Sequence, residues 1–251
     1  MTTRGGVAAR VFVLALAGAA VSHSAPAQER LTRAQVVAAL GAASPEHPAD
    51  FTGQDLSGLD LSGVDFKRAN CTRCRLSGTN LAKAQLFSTT LTDAVATAAD
   101  FTGANLDVAV AYRANLQRAV FRDASLFEII VSGADLSDAD FTRARLIGPM
   151  TNARASRAKF VHANLGADPG NQSMGVTRLD ATGADFSGAD FTGANLKKVA
   201  FVRANLTGAD LTDADVSGAD LDGAILRNIR GLEHLRGLER ALHVDQAIFH
   251  D

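Results

Sequence analysis

The chain has 251 residues, is 47% hydrophobic and 21% charged, contains no Trp and carries a formal net charge of −2. Apolar residues suffice for one soluble domain with a substantial core. A near balance of 25 basic against 27 acidic side chains, with few aromatic stacking partners, excludes a polybasic nucleic-acid surface.

The first residues read as an export signal. Arg4 and Arg10 precede the apolar run 11–21, and Ala25-Pro26-Ala27 has the small-x-small form of a cleavage site. The run is shorter than the roughly 20 apolar residues that span a bilayer, and no Cys follows it to take a lipid. The expectation is a signal peptide over 1–27, a mature chain starting at Gln28, no membrane span after cleavage, and a periplasmic or secreted location.

Residues 28–50 are expected to form a helix and linker. Thr32 and Gln35 fit a capping box, Val36, Val37 and Leu40 form an apolar stripe, and Gly41 stops the helix. Pro45 and Pro48 then force extended chain. A helix here covers the open end of whatever follows it.

From Phe51 to Leu146 an apolar residue recurs every five positions without a slip, usually Leu or Phe, with Cys71, Ala96, Ala111 and Val131 the smaller ones. The frame breaks over 147–159 and 166–183. Phe160 lies 14 residues after Leu146, and Phe186 lies 21 after Leu165. These slips cancel to 40 residues, which predicts a distortion inside one continuous structure. Residues 184–226 then read ADFSG, ADFTG, ANLKK, VAFVR, ANLTG, ADLTD, ADVSG, ADLDG, AIL. After Leu226 the pattern fades. Leu232, Leu235, Leu238 and Leu242, at spacings of three and four, predict a short helix within a C-terminal cap over 227–251.

A period of five excludes an α-helix, because each repeat advances about 500° and would spread the apolar positions over every face. In extended chain, Ala and the apolar centre two residues later share one side while the Asp or Asn between them faces away. The two remaining small polar residues suit a corner.

The motif resembles A(D/N)LXX of the pentapeptide-repeat family and covers about 51–226. The resemblance implies an all-β fold, a right-handed quadrilateral β-helix with twenty residues per coil. The spacing of Leu61, Leu81, Phe101, Phe121 and Phe141 supports that coil length independently. On this count, 146 to 186 makes two whole coils. Some members of the family resemble DNA and protect gyrase from quinolones. Here Asp185, Asp190, Asp210, Asp215 and Asp220 would face outward, but Arg residues interrupt the acidic rows elsewhere and an exported chain does not meet gyrase. The functional expectation is an exported, non-catalytic protein-interaction module, with a structural rod of the cell exterior as the alternative and, were the chain retained in the cytoplasm, a DNA-mimic inhibitor or protector of gyrase as a third reading.

No nucleophile elbow, Gly-rich phosphate loop or HExxH motif is present, so neither catalysis nor a cofactor is expected. The spacing of His234, His243 and His250 fits no standard metal set. Cys71 and Cys74 both fall at inward positions across one corner. They would form either a buried disulfide, given an oxidising compartment, or a pair of buried thiols.

One region of the outer surface departs from the repeat. Phe87, Phe127 and Ile147 replace polar residues just after a centre. Around the next corner, Val110, Ile130 and Met150 stand where Asp or Asn is the rule, and Tyr112, the single Tyr, lies outward on that same face. Contiguous apolar surface of this kind marks an interface, with an unidentified protein partner or a second copy of the chain, unless the 166–180 segment or a terminal helix folds back over it.

Overall fold

Parallel β-bridges join residues twenty apart along most of the chain, in four ladders that begin Asp50–Asn70, Asp55–Arg75, Asp60–Asn80 and Asp65–Gln85. The computed structural model describes residues 30–167 and 177–250. The expected signal peptide at 1–27 and residues 168–176 of the irregular segment lie outside the described residues.

Each five-residue side makes the same bonds. The centre's N–H donates to the coil above, as from Phe51 to the Asn70 carbonyl at 2.7 Å, and Asn70 N–H returns a bond to the Ala49 carbonyl at 2.9 Å. A tight turn follows, as from Gln54 N–H to the Phe51 carbonyl at 2.8 Å. Two residues after nearly every centre the backbone is left-handed. That position is occupied by Gly where the repeat is most regular, but also by Asp, Asn, Arg and Lys. The motif Asp closes the corner: Asp190 Oδ1 accepts from Thr192 N–H at 2.9 Å and from its hydroxyl at 2.6 Å, and the arrangement recurs at Asp140, Asp180 and Asp210. Rows of Asp on the outside are therefore turn chemistry.

Inside, Ala and the centres form one continuous apolar column. The rings of Phe101, Phe121, Phe141, Phe160 and Phe191 stack with centroids 4.8, 4.7, 5.0 and 4.9 Å apart. This is the column that the twenty-residue spacing predicts, extended by two further rings.

The irregular region differs from its expected form. The two slips do not cancel to two coils. Bridges Ile130 to Val110, Asp135 to Arg154 and Pro149 to Asp180 give one coil of nineteen residues followed by one of thirty-one. The short coil lacks a corner residue between Leu146 and Met150. Leu165 and Ala181, consecutive centres, are then sixteen residues apart, eleven more than one side requires. Deletion also explains Met150, expected on the surface: losing one residue turns it inward as a centre, fully buried in the core. Gly148 makes the tight passage, with φ 134°, and a Cβ there would stand 2.3 Å from the Ile129 carbonyl oxygen.

Helix α1, Arg33–Ala42, has the expected capping box, and its Val36 and Leu40 pack into the same core as Phe51 and Leu56. The expected C-terminal helix is absent. Three 3-10 turns, Leu232–His234, Leu238–Arg240 and Val244–Gln246, instead repeat every six residues, each entered through a left-handed residue. They form a last coil with six residues per side, bridged through Arg230, Arg236, Leu242 and Ile248. Leu235, Leu238, Ala241, Val244 and Ala247 turn toward the core, whereas Leu232 and Leu242 are exposed. Spacings of three and four within RGLEHL-RGLERA mimic a helix, but the six-residue period governs.

Candidate interaction surface

The corner between the Phe66–Leu146 ladder and the Phe51–Val131 ladder carries the apolar departure. Phe87 and Tyr112 are 41% and 42% exposed. Phe127, Val110 and Ile130 are half-buried beside them. Two expected members do not belong. Met150 faces the core, and Ile147 is 1% exposed although it pairs in register with Phe127 between strands β1 (Ser125–Phe127) and β2 (Arg145–Ile147). The Arg145–Asn164 bridge puts Gly166 opposite Ile147 in register, and the exposed ridge ends there.

One residue escaped the sequence reading. Val108 sits on the corner itself, 37% exposed, with φ 60°. Left-handed backbone costs roughly 1–2 kcal/mol for an L-residue, and a β-branched one is an outlier there. The legible signal was Val, the one β-branched residue among the left-handed turn positions, which Gly, Asp, Asn, Ser, Ala, Glu and cations fill elsewhere among the described residues. Strain of this kind persists only where the surroundings hold it; here the Val108 N–H donates to the Phe127 carbonyl at 2.8 Å.

Each ring on the ridge carries a guanidinium: Arg68 lies 5.7 Å from the Phe87 centroid, Arg113 4.8 Å from Tyr112 and Arg145 4.2 Å from Phe127. Between the two Phe positions, Asp107 is tied down by Ser125 Oγ at 2.6 Å and Phe127 N–H at 2.8 Å. Along the rod, Arg residues pair with Asp one coil away, in two-pronged contacts from Arg113 to Asp93, Arg143 to Asp123 and Arg157 to Asp138. The Arg113 hydrogen bonds hold the Asp93 carboxyl below its ordinary value. Arg that interrupts the acidic rows thus also neutralises them, leaving no continuous anionic stripe along these corners.

Cys71 and Cys74 are joined in a disulfide, Cα atoms 5.1 Å apart, with both side chains fully buried. Among the described residues no cluster of His, Cys, Asp or Glu is placed to hold a metal ion, and no helix is long and apolar enough to cross a membrane.

No curated protein matches the chain. Similar solved structures include HetL, a pentapeptide repeat protein involved in heterocyst differentiation regulation in Nostoc sp. strain PCC 7120, at 29% identity over 70% of this chain and 84% of that one, with a TM-score of 0.40. Rfr23 from the cyanobacterium Cyanothece 51142 is 24% identical over 44% and 64%, with a TM-score of 0.32. Full-length QnrB1, a plasmid-mediated fluoroquinolone resistance protein, is 20% identical over 78% and 94%, with a TM-score of 0.37. The family model for pentapeptide repeats matches in eight copies over residues 49–82, 89–126, 120–148, 177–208 and 193–228. With more than half of its length covered, the chain belongs to the pentapeptide-repeat family.

Proposed function

We propose that this chain is an exported, non-catalytic protein-interaction module, a right-handed quadrilateral β-helix closed at one end by α1 and at the other by the six-residue coil, that meets its partner through the ridge of Phe87, Val108, Val110, Tyr112, Phe127 and Ile130. The observation that carries this reading is Val108: an exposed, β-branched residue in a left-handed turn has no structural advantage over Gly, so the strain is retained for contact. A disulfide between Cys71 and Cys74 fits an oxidising compartment, and export fits the N-terminal signal.

Two measurements test it. N-terminal sequencing of the protein from its native cells should begin at Gln28; a chain starting at Met1 or Thr2 removes export. Capture of periplasmic or secreted proteins by wild type and by Phe87→Asp/Tyr112→Asp should differ, with thermal melts unchanged. Identical capture by both would leave the chain a structural rod.

A further inference from the structure

We infer that the ridge pairs with the ridge of a second copy of this chain, the two rods lying antiparallel about a twofold axis. This rests on the ridge being a contact surface and names its occupant. The corner column on successive coils reads Arg68, Ser88, Val108, Glu128, all with left-handed backbone. A cation stands at one end, an acid at the other, and an uncharged middle lies between. Three of these residues are exposed, and Ser88 is half-buried.

The order of charges selects the partner. A copy laid parallel sets Arg68 against Arg68 and Glu128 against Glu128. A copy laid antiparallel sets Arg68 of each chain against Glu128 of the other, with Ser88 meeting Val108 between them. A twofold axis makes each such contact twice.

The Arg68 guanidinium lies over the Phe87 ring, a contact that leaves its charge unneutralised. Arg113 is engaged by Asp93, and Asp107 by Ser125 and Phe127. Among the described residues, neither Arg68 nor Glu128 is in an ion pair. A surface that becomes its own complement on rotation is what an isologous interface requires, and an unrelated partner imposes no such order. The column spans only three coil spacings, about 14 Å, so its footprint is small beside a standard stable interface, which buries roughly 800 Å2 per partner. The association is therefore weak and depends on concentration.

Analytical ultracentrifugation of the full chain at low salt, from about 1 to 100 μM, tests the proposal. Wild-type mass should climb toward twice that of the chain. Glu128→Arg and Arg68→Glu should each remain monomeric throughout, because each places like charges together twice. The double variant Arg68→Glu/Glu128→Arg should recover the wild-type curve. Mixing the two single variants should also restore association, which shows that both are folded. A wild type that stays monomeric, single variants that associate normally, or a double variant that does not recover would each overturn the antiparallel pair. If the wild type is monomeric while Phe87→Asp/Tyr112→Asp still loses a captured protein, the contact surface stands and only the second copy is excluded.

Discussion

The ring of Phe160 stacks on that of Phe191 at 4.9 Å, with planes 8° apart, although thirty-one residues of chain separate them. Stacking of this order on both sides of the insertion makes the interior continuous: the chain detours, and the core does not. Phe141, Phe160 and Phe191 therefore behave as one stack with Phe101 and Phe121 below. Truncating a middle ring opens a void with no side chain free to fill it. Phe121→Ala should cost about 3–5 kcal/mol in chemical denaturation, and a loss under about 1 kcal/mol would contradict the stack.

Gly148 and Gly208 separate two roles for glycine. Gly208 has φ 69° and nothing within 4 Å of an added Cβ, whereas Gly148 has the Ile129 carbonyl oxygen at 2.3 Å. Gly208→Ala should cost about 1 kcal/mol through backbone conformation alone. Gly148→Ala adds a backbone clash and should cost about 3 kcal/mol or more. Paired denaturation curves decide it, and equal losses would mean that the short side relaxes freely.

Asp135 gives the stability a dependence on acid. Burial opposes its ionisation, but hydrogen bonds from Arg154, Ser137 and Gln117 outweigh that and hold the carboxyl at about 2, below its ordinary 3.8. A carboxyl with a lowered folded-state value contributes stability in full above its unfolded value and loses it as pH falls toward the folded one. Wild-type stability should drop between about pH 4 and 2. Asp135→Asn, which keeps an acceptor for Ser137, should cost about 2 kcal/mol at neutral pH and flatten that drop. An unchanged profile would mean that the Arg154 contact is worth nothing.

Val108→Gly tests strain against contact. Releasing a β-branched residue from left-handed backbone should raise stability by about 1 kcal/mol, less the entropy that Gly adds to the unfolded chain. Ridge-dependent association should weaken at the same time. A variant that is less stable than wild type would show that Val108 serves packing.

The columns were legible because a spacing of twenty is visible in Phe101, Phe121 and Phe141 without any geometry. Met150 was not. Counting in fives registers a lost residue only at the next clear centre, Phe160, so the deletion could not be located within the intervening stretch. Counting in fives also could not see that Ala181 and Phe186 resume two repeats further on, since ten additional residues leave the frame unchanged. Val108 was missed because only the positions beside each centre were compared, and left-handed geometry at the corner is a backbone property. Leu232, Leu235 and Leu238 misled for another reason: apolar spacing of three satisfies a helix and half of a six-residue side equally.

The corner between Leu165 and Ala181 has a consequence for how such a rod diversifies. Cohesion runs from coil to coil, perpendicular to the chain, so a corner can be opened without breaking a ladder. Doubling the length of chain that joins two ladders adds only about 0.6 kcal/mol of closure entropy. This makes the site a natural graft point, where a foreign epitope or a small domain could be spliced in and displayed at a fixed height along the rod.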